Sequence, residues 1–482
     1  MKKSMKKGLA ILLLLLTGTL LFAEGQSESK DMSLNESAAQ AKYVFLFIGD
    51  GMAMPQISAA EAYLSAKEGN AANQKLLNFS TFPAQGMTTT YAYDRFITGS
   101  AAAATAMATG QKTAIGVISM DPGKTESYKT LAEMAKEDGK KVGIISSVDL
   151  DHATPAAFYA HQPSRNNYYQ IGVEAVSSDV DYFGGGRFRL GKTPEGEKNI
   201  HELMAEAGWT IAEDRDSINA IQAGTEKVYC SNHGFADDAL PYDIDREADD
   251  VSLAEFTQKG IELLDNEDGF FMMVESGKID WACHANDGAS SIMDTLAFAE
   301  SIETAIQFYN EHPEETLIVV TGDHETGGLT LGFAGTGYET DFANISSQTK
   351  SYEYFDKFVL THYLEAGSSD LEGLMADIEK YFGLTELNDY EAELLEKAYI
   401  RTVAGDEAVS NATEDKLLYG GYTPLTMQLT HIQNNRSGMA WTSYKHTAVP
   451  VATFAVGAGE EMFHGYYDNT DIFTKIKAAM GM

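Results

Sequence analysis

The sequence predicts an α/β fold with a mainly parallel central sheet, helices on both faces and a helical insertion late in the chain. Three observations predict it. Five short runs are apolar at successive positions and rich in β-favouring residues: Tyr43 to Ile48, Lys141 to Ser146, Gly269 to Glu275, Thr316 to Thr321 and Val451 to Val456. Such runs suit parallel strands covered on both faces. Helical stretches separate them, among them Leu131 to Asp138 and Leu253 to Leu264, and strands alternating with helices make a parallel sheet. Carboxylates stand at the ends of the runs: Gly49-Asp50-Gly51 follows the first, Glu275 closes the third and Asp323 comes just after the fourth. Open α/β sheets bind ligands at the carboxyl ends of their strands, so these three are expected in one site.

At the start of the chain Lys2, Lys3, Lys6 and Lys7 precede an uncharged apolar run, Leu9 to Ala23, and then the polar Glu24-Gly25-Gln26-Ser27. This order reads as a secretory signal over residues 1–23, cut after Ala23, leaving 24–482 as the α/β domain. The run is short against the ~20 residues of a bilayer span, so the expectation is an exported protein, periplasmic or extracellular, with no stable membrane span after cleavage. Between Gly328 and Trp441 the chain turns polar and helical, clearest at Leu371 to Tyr381 and Tyr390 to Ala398. We read an insertion at about residues 335–440 into the last part of the sheet. Cys230 and Cys283 are too few for a disulfide framework. Free buried thiols are the first expectation, a single bridge the alternative.

Lys and Arg number 35 against 71 Asp and Glu. An excess of negative charge opposes nucleic-acid backbones and anionic membranes, which excludes a nucleic-acid scaffold role. It does not exclude a small anionic ligand, because divalent cations invert the local field.

The residues that carry chemistry are dispersed and must be gathered by the fold. Asp280 and His284 are spaced i, i+4 and share one helix face, where they could meet one metal ion or form a plain surface pair. Asp323-His324 can converge through a turn at a strand end. His446, in Trp441-Thr442-Ser443-Tyr444-Lys445-His446, would alone read as a core histidine; jointly these residues point to a metal-assisted hydrolase. Ser100 opens the alanine-rich stretch Ala101 to Ala106 after Thr98-Gly99. It reads as a helix N-cap, and also as a nucleophile beside a helix start that favours a phosphoryl group. No histidine neighbours it in sequence, so metal coordination is the simplest activator. Arg165 closes a segment that begins Asp151-His152-Ala153-Thr154-Pro155, and a guanidinium can fork two phosphate oxygens.

Together these residues resemble the alkaline phosphatases. The resemblance runs from about Tyr43 to Phe473 through Phe47-Ile48-Gly49-Asp50-Gly51-Met52, Gly99-Ser100-Ala101-Ala102, His152-Ala153-Thr154-Pro155 to Arg165, Glu275 with Asp280 and His284, Gly322-Asp323-His324-Glu325-Thr326-Gly327-Gly328, and Trp441-Thr442-Ser443 with His446. It implies a three-metal site: one zinc on Asp280, His284 and His446, a second on Asp50, Asp323 and His324 beside Ser100, and a magnesium on Asp50, Thr154 and Glu275. It implies further that Ser100 attacks phosphorus to form a phosphoserine, that Arg165 neutralises phosphoryl oxygens, that small phosphomonoesters are the substrates and that the protein forms a homodimer. Three positions depart from many relatives: Gly99 replaces Asp before the nucleophile, His152 replaces the Asp of some bacterial members, and Trp281 stands where others carry Lys or His. His152 and Trp281 are expected around the substrate phosphate and the third metal, and cobalt could replace zinc with these ligands. A phosphodiesterase or sulfatase of the same superfamily, or a non-catalytic phosphate- or metal-binding protein, are the alternative readings.

Overall fold

Ten strands form one sheet in the computed structural model, which describes residues 40–69, 75–234, 238–367, 370–405 and 412–482. The signal expected over residues 1–23 lies outside them. The strands are β1 (Tyr43–Gly49), β2 (Ala84–Thr89), β3 (Lys141–Ser146), β4 (Tyr182–Gly185), β5 (Thr210–Ala212), β6 (Val228–Ser231), β7 (Phe270–Ser276), β8 (Thr316–Gly322), β9 (Val451–Gly457) and β10 (Gly465–Asp468). Their order across the sheet is β10-β2-β9-β8-β1-β7-β3-β4-β6-β5. Neighbours from β8 through β5 are parallel, as are β10 and β2. The run read as a further parallel strand, β9, is antiparallel to both of its neighbours. Its apolar composition reports burial on both faces, and burial does not encode direction.

Every residue of β1 is buried, and alternate side chains feed different cores. Tyr43, Phe45 and Phe47 join Phe256, Phe298 and Ile302 on one face, from the helices Leu253–Leu264 and Gly288–Glu311. Val44, Leu46 and Ile48 join Ala104, Met107 and Ile472 on the other, from Ser100–Thr109 and Asn469–Ala479. Each fully buried side chain of this kind contributes about 1.5–3 kcal/mol, which is why the central strands lack the polar alternation of a half-exposed sheet.

Thr330–Leu331 pairs antiparallel with Met439–Ala440, and the chain between them makes helices around a third apolar cluster that includes Phe355, Ile378, Phe382, Leu395 and Leu429. Its helices Met375–Phe382 and Asp389–Ala404 overlap the two helices expected there. Both cysteines are buried and free. Among the described residues no helix is long and apolar enough to cross a membrane.

Candidate active site

Three adjacent parallel strands, β8, β1 and β7, deliver the carboxylates. Ile48 is in register with Glu275, and Gly49 with both Ser276 and Gly322, so Asp50, Glu275 and Asp323 emerge at one height on the sheet edge. Gly51 permits the turn that follows β1. Its φ is +73°, a Cβ there would stand 2.9 Å from Asp280 Cα, and its N–H donates to Asp323 Oδ1 at 3.0 Å.

The helix Lys278–His284 begins two residues after β7 and carries Asp280 and His284 on one face, where His446 meets them. Asp50, Asp323 and His324 form a second group, and Asp50, His152 and Glu275 a third. Asp50 belongs to both of the latter. Thr154, from the short helix Ala153–Ala156, donates to Asp50 Oδ2 at 3.4 Å.

The hydrogen bonds of the imidazoles fix what they offer. His284 Nδ1 lies 2.7 Å from the Tyr444 carbonyl and His446 Nδ1 2.9 Å from the Thr98 carbonyl; carbonyls only accept, so both Nδ1 atoms carry the proton. Thr326 Oγ1 donates to Asp280 Oδ1 at 2.5 Å and therefore accepts from His324 Nδ1 at 3.3 Å. In the neutral rings of His324 and His446 the Nε2 lone pair is left facing the cluster, and His284 Nε2 faces it too. His284 Nε2 and His446 Nε2 lie 3.1 Å apart, and His324 Nε2 sits 3.4 Å from Asp50 Oδ1 and 3.2 Å from Asp323 Oδ2. Lone pairs and carboxylates at such separations repel unless cations lie among them. Asp50 Oδ1, Asp323 Oδ2 and Glu275 Oε1 are moreover buried without hydrogen-bond partners. Oxygen and imidazole donors in these sets fit divalent metals, zinc or cobalt where histidine contributes and magnesium where oxygen dominates.

Protonation tells the same story. Burial, reinforced by neighbouring carboxylates, raises Asp50 and Asp323 well above the usual carboxylate range, and burial pushes Glu275 up to about 7. Burial would also raise Asp280, yet it lies below its ordinary value, with the Thr326 hydroxyl and Arg165 among the groups that favour its ionised form. Burial depresses His152, His324 and His446, keeping them neutral.

Ser100 is the first residue of the helix Ser100–Thr109 and is buried at its mouth. The cap position is Gly99, whose carbonyl accepts from Ala102 and Ala103. The reading of Ser100 as the N-cap is therefore replaced: its hydroxyl is released from capping and lies 3.5 Å from His324 Nε2. Arg165 does not need a carboxylate at position 99, because its guanidinium donates to His152 Nε2 at 2.7 Å. A neutral His152 that accepts from Arg165 carries its proton on Nδ1, which is buried and unpartnered. It can orient Arg165 or present an Nδ1 lone pair to the third group, not both. Trp281 meets His152 edge-on at 6.0 Å between ring centroids, with Lys278 Nζ 4.7 Å above its ring.

Sequence reasoning gave no role to Thr326, to Ser146, which donates to Glu275, or to Glu325, which accepts from Gln56, Gly328 and Leu329. Glu325 and Thr326 were visible as neighbours of Asp323-His324. Ser146 carried a weaker signal, its place at the end of β3.

An α/β sheet ending in three carboxylate–imidazole groups beside one buried serine has the layout of a metal-dependent hydrolase. The alkaline phosphatase family profile matches residues 41–482. Alkaline phosphatase 3 of Bacillus subtilis (strain 168) is 31% identical, with 100% of this chain and 98% of that protein covered, and alkaline phosphatase 4 of the same organism is 30% identical over 97% and 95%. The crystal structure of a cold-active alkaline phosphatase from the psychrophile Shewanella sp. superposes with a TM-score of 0.76 at 31% identity, covering 91% of this chain and 99% of that one. The enzyme of Thermus thermophilus gives the same TM-score at 25% identity, with 92% of each chain covered. The chain belongs to the alkaline phosphatase family.

Proposed function

We propose that this alkaline phosphatase is an exported enzyme that hydrolyses small phosphomonoesters through a phosphoserine on Ser100. One observation carries the reading: a buried serine hydroxyl, not used for capping, beside imidazole lone pairs and orphaned carboxylate oxygens. The fitting metals are two zinc or cobalt ions, one on Asp280, His284 and His446 and one on Asp50, Asp323 and His324, and one magnesium on Asp50, Thr154 and Glu275. When bound, they supply positive charge that acidifies a hydroxyl and offsets the charge of the phosphoryl group.

Ser100 Oγ loses its proton and attacks phosphorus, and the ester oxygen leaves with its electron pair and takes up a proton. Water then attacks the phosphoserine, restoring the Ser100 hydroxyl and releasing inorganic phosphate. Arg165, oriented by His152, binds two phosphoryl oxygens through its fork, and the amides at the start of the Ser100–Thr109 helix add their dipole.

Ser100→Ala is expected to lower turnover of a nitrophenyl phosphate by more than about a thousandfold and to abolish covalent labelling by phosphate. Undiminished turnover with intact metal content would reject the assignment.

A further inference from the structure

A cleft of about 680 Å³ opens beside the nucleophile, bounded on the site's side by Arg165 and His446. Its lining also includes Ile97 and Ile115, 46% and 37% exposed, together with Arg95, Lys124 and Lys445. Its lining includes no Asp or Glu, although the chain carries 71 of them against 35 Lys and Arg. A cationic cleft on so acidic a molecule is a local reversal of the field that would otherwise repel an anionic substrate.

The backbone fixes where Lys124 and Lys445 leave the chain. Lys124 has a φ of +63°, unfavourable for a lysine, in a turn closed by Asp121. The Asp121 carboxylate accepts from the N–H groups of Gly123, Thr125 and Glu126 at 2.8, 2.6 and 2.6 Å. Lys445 donates its N–H to Ser443 Oγ at 2.9 Å and accepts from Gly327 through its carbonyl at 3.0 Å. Among the described residues neither the Lys124 nor the Lys445 ammonium group forms an ion pair. Arg95 pairs with Asp94 at 2.8 Å, and both are exposed. Gly99 leaves the floor bare between Ser100 and Ile115, since a Cβ there would rest 3.5 Å from Ile115 Cγ1 and 3.9 Å from His446 Cε1.

We propose that this cleft receives the leaving group, and that Lys124 and Lys445, with Arg95, select phosphomonoesters whose leaving group joins a flat apolar body to a second anionic group. The apolar body lies on Ile97 and Ile115 while the anion meets the ammonium groups. The inference rests on the phosphomonoesterase reading above. A phosphorylated aromatic acid and a nucleoside bisphosphate share this chemistry.

The test compares kcat/KM on two matched pairs: 4-carboxyphenyl phosphate against phenyl phosphate, and adenosine 3′,5′-bisphosphate against adenosine 5′-monophosphate. Intrinsic reactivity cancels when the ratio within a pair is compared between proteins. In the metal-loaded Lys124→Gln/Lys445→Gln enzyme the ratio is expected to fall about fivefold to tenfold, mainly through KM, as two partly screened charge contacts would give. Rising salt should lower the wild-type ratio in the same direction. Because Lys445 adjoins His446, Lys124→Gln alone is measured as well and should give part of the fall. A fall in either pair supports the inference and identifies which body the floor accepts. Ratios within about twofold of the wild type in both pairs overturn it. Retained turnover in Ser100→Ala would instead overturn the underlying reading, so the two failures are distinguishable.

Discussion

Thr326 shows how much of the site depends on a single hydroxyl. By donating to Asp280 it turns its oxygen lone pair to His324, which fixes that ring's tautomer and leaves Nε2 facing Asp50, Asp323 and Ser100. Partners that orient metal ligands in this way are typically worth about 10–100-fold in metal affinity. Thr326→Val keeps the shape and removes the link, so a loss of that size is expected for zinc in a chelator competition, with the melting temperature of the metal-free protein little changed. Unaltered affinity would show that His324 is oriented by packing alone. The clustered carboxylates and imidazoles were legible as residue types at strand ends and at an i, i+4 spacing. Their tautomers were not, because the partners of His284 and His446 are carbonyls of Tyr444 and Thr98, and a carbonyl leaves no trace in the sequence.

At the scale of elements, the turn after β1 is the narrowest point of the design. Gly51→Ala places a methyl group against Asp280 in a left-handed backbone that alanine avoids. We expect a loss of about 1–3 kcal/mol in urea unfolding together with reduced metal content; a wild-type unfolding midpoint would show that the turn can shift freely. The long strands β1, β3, β7, β8 and β9 were legible because both their faces are covered and their composition says so. The other strands, β2, β4, β5, β6 and β10, were not singled out. Tyr182-Phe183-Gly184-Gly185 in β4 includes two glycines, and β2 alternates buried with exposed or half-buried positions instead of forming a continuous apolar run. Such segments become strands by being paired, which local composition does not report.

Over the whole molecule, burial of several carboxylates in one place makes stability depend on protons and cations. Glu275 ionises at about 7 in the folded protein against 4.5 for an unperturbed glutamate. Its folded pKa is raised, so between those values the folded state holds a proton that the unfolded state has released. The associated stability is complete below about 4.5 and is lost as pH rises through about 7. Asp50 and Asp323, also raised, act in the same direction. The buried neutral imidazoles of His152, His324 and His446 act oppositely, but only up to about 6.5, where unfolded histidines release their protons, so the metal-free protein should melt at a lower temperature at pH 8.5 than at pH 7, and added zinc and magnesium should remove most of that difference. A metal-free melting temperature that rises over this interval would contradict the stated protonation. The helical segment between Leu331 and Met439 bears on the same site, because Tyr444, whose carbonyl fixes His284, packs its ring directly over Gly420 and donates its hydroxyl to the Leu418 carbonyl. By itself the sequence determined the α/β class, the central strands and which hydroxyl, carboxylate and imidazole side chains were candidates for one site, since hydrophobic runs and reactive side chains are properties of residues. Only the tertiary structure decided the direction of β9, the release of Ser100 from capping, the pairing of Arg165 with His152 and the convergence of three Nε2 atoms. Each of these is set by a contact between residues far apart in the chain, and such contacts exist only once the sheet has brought its strand ends together.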